Sequence, residues 1–586
     1  MADFKPSPYQ EAILAELKNS SKNIMVQAVA GSGKTSTLKL ICETLPRQYV
    51  VALAFNKVSA EAFKEKLPAH IESSTMHSYG FTVLRKYTSG IEVDQHKQKR
   101  IMKGVIYDKA GFEWAKKHIP EVQKIADMCV NTCIDPMNIN ALSDMVDVFG
   151  LDIANAKVAG HDKISVDMHG PIIAEYLKQC RAERAKISFD DMIDQVVHHQ
   201  LTMLPPDLIL GDEVQDWNKL QAEFIRLMAG KAPVPSAEVW GDIFGPATLS
   251  SPVIERPTAS RVVLVGDRRQ SIYSFRGADP KSMDSLSVHF APVELPLSVC
   301  YRCPRSVIAL AQEVVGDDYI LPADTAEEGE VLERQTSELD LTLSELKAGD
   351  MVMCRVNAPL VPLALRLIAQ QRRATVRGSE ATFSKGLIKL VEAAEETFRP
   401  TSLSEFLAGL RIMVEKQIAR LCKHDKVGEA SRLEDRYQCI RAIAEDSDDT
   451  VEIVEKIEKV FDDTEEIEAG KKPNLGVIFS SVHRAKGREA ETAVILAPHL
   501  MPHPAVQFAK NYEMQMEQEM NCKYVAITRA LKRLVLQRMP QRQDGASEFS
   551  ELNSAYLKKA ASRASAAVAA ARAVDPLRKE LNETVE

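Results

Sequence analysis

Three short stretches carry residues whose types and spacing suit phosphate chemistry. The first is Ala28-Val29-Ala30-Gly31-Ser32-Gly33-Lys34-Thr35, a glycine-bearing turn between an apolar run, Ile24 to Val29, and a helical stretch, Thr35 to Leu45. The backbone N–H groups of Ala30, Gly31, Ser32, Gly33, Lys34, Thr35 and Ser36, with the start of that helix, would form a concave cradle for phosphate oxygens. Lys34 would reach the β- and γ-phosphates, and the Thr35 hydroxyl would ligate Mg²⁺. The second stretch, Leu208-Ile209-Leu210-Gly211-Asp212-Glu213-Val214-Gln215-Asp216, delivers carboxylates at the end of an apolar strand. Asp212 would hold Mg²⁺ through water, while Glu213 would orient and deprotonate an attacking water. The third, Gly266 to Ala278, follows the strand Val262 to Val265 and places Gln270 to touch a γ-phosphate. Its Tyr273, Phe275 and Arg276 mix aromatic faces with positive charge, as base-stacking surfaces do; by themselves they suit core packing equally well.

These side chains need a scaffold that brings loops together. Strand signals at Ile24 to Val29, Tyr49 to Phe55, Ile71 to Thr75, Leu208 to Leu210 and Val262 to Val265 alternate with helical periodicity, which predicts a doubly wound parallel sheet. In such sheets ligand-binding residues collect at the carboxyl ends of the strands. From Tyr79 to about Lys186 the strand signal fades into helical spacing, so this segment reads as a helical insertion. Tyr9-Gln10 precedes a helical pattern, Glu11 to Leu17, and the Gln10 amide offers the donor and acceptor that the N6/N7 edge of adenine requires. Lys231 to Ser260 is rich in Pro, Gly and Ser and reads as an irregular insertion without an assigned role.

The chain has 586 residues, enough for roughly four domains, with 45% hydrophobic and 27% charged residues, an ordinary globular composition. It lacks an apolar run of roughly 18 residues and an amino-terminal signal pattern, so a cytoplasmic protein without membrane contact is expected. Ten irregularly spaced cysteines point to reduced thiols; Cys300 and Cys303 form a CxxC, with no second pair at zinc-site spacing. The net charge of −8 is uneven. Val391 to Gly470 holds 21 acidic and 11 basic residues, whereas Lys471 to Gly545 holds 12 basic and 6 acidic. That contrast permits a nucleic-acid track beside an acidic segment.

Taken together in order, these stretches resemble the superfamily 1 helicases of the UvrD, Rep and PcrA type. Gln10 is similar to the family's Q motif, Ala28 to Thr35 to its Walker A loop, Asp212 to Asp216 to its DExQD motif, and Gly266 to Ala278 to its GDxxQSIYxxRGA signature. Cys300-Tyr301-Arg302 looks like the motif with the NYR core, Ser481 to Glu489 like HxAKGxE, and Tyr524 to Ala530 like YVAxTRA. The resemblance implies two RecA-like P-loop NTPase domains, α/β with parallel sheets flanked by helices, each carrying a mainly helical insertion. The expected division is 1–80 and 187–294 for the first RecA-like domain and 81–186 for its insertion. The second domain is expected at 295–380 and 472–545 with a short acidic insertion at 381–471, followed by an Ala-rich helical tail at 546–586.

The resemblance further implies ATP-dependent translocation, 3′ to 5′, on single-stranded DNA with separation of duplex. Tyr301 would stack on adenine, Glu489 would contact the ribose, and Arg302 and Arg529 would reach the γ-phosphate from the second domain. DNA contacts would come from Phe55, Asn56, His77, Tyr273, Phe275, Arg276 and His483. Expected partners are single-stranded DNA and single-strand/duplex junctions in a bacterial or phage-infected cell. The acidic segment would repel duplex phosphates, so it, or the tail, is expected to meet a protein partner. Two other functions fit the same motifs: a translocase that strips proteins from single strands, and a nucleotide-gated switch within a larger complex.

Overall fold

A computed structural model describes residues 6–45, 48–110, 112–149, 166–201, 205–230, 260–273, 278–279, 281–316, 318–377, 380–423, 427–460, 476–503, 506 and 512–539. The Pro/Gly/Ser-rich segment up to residue 259 and the Ala-rich tail lie outside them, as do Phe275 and Arg276. The chain divides into two compact units, Met1–Ala326 and Glu327–Glu586.

The first unit is built on six parallel strands: β1 (Ile24–Ala28), β2 (Val50–Ala54), β3 (Glu72–Thr75), β4 (Leu208–Gly211), β5 (Arg261–Gly266) and β6 (Val293–Leu297). Their order is β3-β2-β4-β5-β1-β6. Helices cover both faces, so the inner strands read as continuous apolar runs; every residue of β2 and β4 is buried. Helix α1 (Pro8–Asn19) starts from a capping box in which Ser7 and Gln10 satisfy each other's backbone N–H groups. Helices α2 (Lys34–Thr44), α3 (Lys57–Lys66) and α4 (Met76–Tyr87) each begin directly beyond a strand of this sheet.

The inserted helices Lys97–Ala110, Phe112–Thr132, Ile139–Val148 and Val166–Ala182 enclose their own apolar core around Met102, Ile106, Val122, Ala126 and Ile173. A two-residue parallel pair, Glu92–Val93 with Lys186–Ile187, closes the neck of the insertion. Beside it the fully buried Lys97 ammonium donates to the carbonyls of Cys180 and Glu183 and to Asp191 Oδ2, at 2.7, 2.8 and 2.7 Å. A buried charge this fully hydrogen-bonded fixes the neck geometry; losing one partner would strand the other.

The boundary expected at 295 is corrected. Strand β6 spans it and pairs with β1 along Ile24 to Ala28, so the chain stays with the first sheet, and Cys300 to Arg302 belong to the first unit.

The second unit repeats the architecture with β7 (Glu330–Arg334), β8 (Met351–Cys354), β9 (Ala374–Arg377), β10 (Val477–Ser481), β11 (Ala490–Leu496) and β12 (Ala530–Gln537). All pairs are parallel, in the order β7-β12-β11-β8-β10-β9. The described residues between β9 and β10 include the helices Glu380–Phe398, Leu403–Lys423, Val427–Ala444 and Thr450–Val460, packed about Leu387, Phe406, Leu410 and Ile440. Glu445, Asp446, Asp448, Asp449, Glu455 and Glu458 are exposed around its last turn and helix, while the first three helices expose both signs, among them Glu392, Glu396, Glu405, Lys385, Lys389, Lys416, Arg420 and Arg432. Short connections join those three helices, which pack against one another.

Candidate functional site

The residues singled out in the first unit converge on one edge of its sheet, because each follows the carboxyl end of a parallel strand: Lys34 follows β1, Phe55 β2, His77 β3, Asp212 β4 and Gln270 β5. After β1 the chain turns through Gly31 at φ +67° and Gly33 at φ +83°, left-handed conformations that glycine adopts without steric cost. A Cβ on Gly31 would lie 2.5 Å from Arg302 Cβ and 3.0 Å from Cys300 Sγ, so the turn is glycine for space as well. Helix α2 then starts with no side-chain cap and no acidic residue in its first turn, leaving the positive end of its dipole to an anion. The buried Ser32 hydroxyl has no hydrogen-bond partner among the described residues, an orphan that a phosphate oxygen would satisfy.

Lys34 reaches across this cradle to Glu213, with Nζ 2.8 Å from Oε1 and side chains 15% and 23% exposed. Burial by itself would lower the lysine pKa, but Glu213, Asp212 and Asp267 together hold it above its ordinary value. Glu213 adopts a left-handed conformation, φ +52° and ψ +41°, a strained backbone for a residue with a Cβ and a common mark of a working site. Its Oε2 accepts from Gln215 Nε2, while Gln215 Oε1 accepts the Asp267 N–H at 3.0 Å. One glutamine therefore ties the loop after β4 to the loop after β5.

Asp267 is fully buried and is the acceptor for that second loop. It takes hydrogen bonds from Gln270 Nε2 at 2.7 Å, the Tyr319 hydroxyl at 2.6 Å and the Arg269 N–H at 3.0 Å. Burial pushes its carboxyl up, against Lys34 and these donors. Gln270 is thus held by its amide nitrogen beside the carboxylate cluster. Asp212 is buried at the end of β4, its N–H donating to Leu53 O at 3.2 Å. With the half-buried Thr35 hydroxyl it forms an all-oxygen donor set, the kind Mg²⁺ takes alongside water and phosphate. These residues fit that ion.

Gln10 is buried behind the cradle. Its Oε1 accepts the Ser7 N–H at 3.0 Å and its Nε2 donates to Thr37 Oγ1 at 3.0 Å, which in turn donates to Gly33 O. The amide thus already has one partner at each end. Tyr301 donates its N–H to Gly31 O at 2.9 Å and leaves its ring 54% exposed beside the phosphate loop. Ser36 is exposed in the first turn of α2 and Ala30 is buried.

Two aromatic stacks lie along the same strand ends. Phe55 and Tyr273 face each other with ring centroids 6.1 Å apart and 12° between planes. His77 stacks on Phe189 at 4.1 Å and 18°. Sequence reasoning missed Phe189, whose ring is 60% exposed. The flanking residues fix it there: Asp191 Oδ2 accepts the Ser188 N–H and Ser188 Oγ accepts the Asp191 N–H, the same Asp191 that holds Lys97. No local sequence pattern marks it, because its significance lies in the stack with His77. Burial lowers the pKa of His77 against the pull of Asp190, so the ring stacks as neutral imidazole near pH 7. Asn56 is exposed and caps α3, its Oδ1 accepting the Ser59 N–H at 2.8 Å.

In the second unit, His483 sits in the turn after β10 with Nε2 3.6 Å from Cys522 Sγ. Arg529 is almost fully buried; its Nε donates to Val525 O, Nη1 to Arg488 O and Nη2 to Thr528 Oγ1 at 2.8, 3.2 and 3.0 Å. Glu489 is exposed just before β11.

Two units, each a parallel sheet flanked by helices, the first with a glycine-bearing turn and a carboxylate pair at its strand ends, have the α/β architecture of RecA-like P-loop domains. Residues 9–291 match the family described as UvrD/REP helicase N-terminal domain. ATP-dependent DNA helicase PcrA of Staphylococcus aureus is 25% identical over 333 residues, covering 51% of this chain and 38% of that protein. F-box DNA helicase protein 1 of Schizosaccharomyces pombe is 20% identical over 582 residues, 90% of this chain and 58% of that protein. The matches thus span less than two thirds of either relative's length. The part of the chain that the family model matches, just under half, is thus similar to the UvrD/Rep/PcrA-like helicases of superfamily 1. Among the described residues no helix is long and apolar enough to cross a membrane.

Proposed function

We propose that this chain is an ATP-dependent DNA motor that moves 3′ to 5′ along single-stranded DNA and separates duplex ahead of it. The observation that carries the reading is the shared strand-end edge of the first sheet: the Lys34, Asp212, Glu213 and Gln270 cluster and the two aromatic stacks lie on loops of the same few strands. Aromatic stacking is worth about 1–3 kcal/mol per base and tolerates any sequence, which suits a stepping enzyme.

Lys34 and the N–H groups at the start of α2 bind the β- and γ-phosphates, and the Ser32 hydroxyl adds a donor from below. Thr35 and Asp212 would hold Mg²⁺, which when bound neutralises phosphate charge. Glu213 accepts a proton from the attacking water, its carboxylate aimed by Gln215. Gln270 senses the γ-phosphate and passes the signal through Asp267 to the Tyr273 segment, three residues further along. Tyr301 offers its exposed ring to the base and Gln10 its amide edge, while Arg302 stands beside the phosphate turn. Arg529 and Glu489 keep the γ-phosphate and ribose roles that the resemblance implies. Phe55, His77, Phe189 and Tyr273 stack on bases, with Asn56, Phe275, Arg276 and His483 as further contacts.

ATP turnover with and without single-stranded DNA tests the motor. Stimulation of about tenfold or more is expected, and no stimulation would replace the motor with a nucleotide-gated switch. Strand displacement on 3′-tailed and 5′-tailed duplexes, beside a protein-blocked single strand, then separates polarity and unwinding from stripping.

A further inference from the structure

The sequence Cys300-Tyr301-Arg302-Cys303 puts two thiols on either side of the pair assigned to base and phosphate. Both are buried and neither is in a disulfide, and they touch: the Cys303 N–H donates to Cys300 Sγ at 3.4 Å. Cys300 also lies against the phosphate turn, its Sγ 3.0 Å from where a Gly31 Cβ would stand. Tyr301, between the thiols, is pinned to Gly31 O through its backbone N–H. Proline follows at position 304 and begins the helix Arg305–Val315, so the four residues form a bend with a rigid exit.

We propose that Cys300 and Cys303 form a reversible disulfide that switches nucleotide binding off at the adjoining phosphate loop. The oxidant is a hydroperoxide. Cys300 attacks the peroxide oxygen as the thiolate, breaking the O–O bond to give a sulfenic acid, and the proton it released joins the departing hydroxide as water; the Cys303 thiol then attacks that sulfur, its proton leaving with the sulfenic hydroxyl as a second water. Two thiols and one hydrogen peroxide become one disulfide and two waters, and a dithiol reductant reverses the change. Chemistry favours this pair over the other cysteines. Hydrogen bonds from Cys303, outweighing burial, bring the Cys300 thiol down to about 7, whereas burial pushes Cys42, Cys129 and Cys522 up to about 12. Both thiols are enclosed, so reaction requires opening of the 301–303 bend, whose exposed member is Tyr301. Closing the S–S bond pulls Cys300 Sγ toward position 303 and away from its seat under Gly31. Because the Tyr301 N–H to Gly31 O bond fastens the same two segments, the turn and the Tyr301-Arg302 pair shift together.

This inference rests on the nucleotide site proposed above, and the experiment keeps the two separable. The full chain is treated with hydrogen peroxide, the disulfide is located by peptide mass mapping, and the Kd of a fluorescent non-hydrolysable ATP analogue is measured before, after, and after dithiothreitol. Expected are a Cys300–Cys303 disulfide, weakening of about tenfold, and recovery on reduction. Cys303→Ser and Cys303→Ala should bind the analogue as the reduced protein does and resist peroxide. A mapped disulfide with unchanged Kd would overturn the switch, as would a pair that stays reduced or Cys303 variants as sensitive as the unmodified chain. A reduced protein that never binds the analogue would instead overturn the nucleotide site.

Discussion

Replacing Glu213 with glutamine should strengthen nucleotide binding while abolishing turnover. The Lys34 ammonium lies 2.8 Å from Glu213 Oε1, so phosphate binding competes with that ion pair for the same charge. At this distance, with an effective dielectric of about 20, the attraction is worth about 6 kcal/mol. Side chains 15% and 23% exposed let solvent screen part of it, and Asp212 and Asp267 continue to attract the lysine. The glutamine carbonyl also keeps a neutral hydrogen bond. The net release is about 1–3 kcal/mol, or about 5- to 150-fold in Kd at roughly 1.4 kcal/mol per factor of ten. Removing one negative charge beside the phosphates acts in the same direction. Calorimetric titration with a non-hydrolysable ATP analogue measures the gain. Lys34→Met in the same background should erase it, because the latch and the ligand share that ammonium. Equal or weaker binding by Glu213→Gln would refute the competition argument, whatever its turnover.

Three further outcomes follow from other parts of the first unit. Burial and the nearby Asp190 push the Asp127 carboxyl up to about 7 from an ordinary 3.8, against the Gln123 hydrogen bond, so the native state holds a proton that the unfolded chain releases earlier. Its contribution is most favourable below about pH 4 and is lost as pH rises through about 7. Asp127→Asn should therefore be more stable than the parent at pH 8 by about 1–3 kcal/mol and nearly equal at pH 4 in urea melts; a gap independent of pH would contradict this. Phe189→Ala should weaken single-stranded DNA binding by about 1–3 kcal/mol in fluorescence anisotropy with the ATP-analogue Kd unchanged. Undiminished DNA binding would remove that ring from the track. Gly31→Ala forces a left-handed alanine, at about 1–2 kcal/mol, into space 2.5 Å from Arg302 Cβ. It should lose nucleotide affinity by at least about tenfold, and normal affinity would show that the turn can move aside.

The strand-end residues of the first sheet were legible because each motif combines a β-rich apolar run with a change of residue type at its end, as at Leu210 to Glu213. Periodicity also exposed the inserted helices around Ile101 to Ile106 and Val122 to Cys129. The division at 295 was not legible. Strand β6, Val-Glu-Leu-Pro-Leu, is only partly buried and carries a glutamate and a proline, so its sequence resembles a linker, and only pairing with β1 reveals it as a sheet edge. Phe189 was hidden for a different reason: its significance depends on His77, over a hundred positions earlier, and no local pattern encodes that stack.

Gln215 joins these observations. It lies in the acidic motif, yet its amide is divided between two loops, donating to Glu213 and accepting from Asp267. Asp267 in turn holds Gln270, and Lys34 is attracted by all three carboxylates. When phosphate draws Lys34 away, Glu213 and Asp267 both lose the same counter-charge, and their shared glutamine links the adjustments. A signal of this kind needs no long path, because Tyr273, in its stack with Phe55, follows Gln270 by three residues. Gln215→Leu should therefore weaken the stimulation of turnover by single-stranded DNA more than it weakens binding of either ligand alone. Loss of basal turnover with intact stimulation would place Gln215 only in the orientation of Glu213.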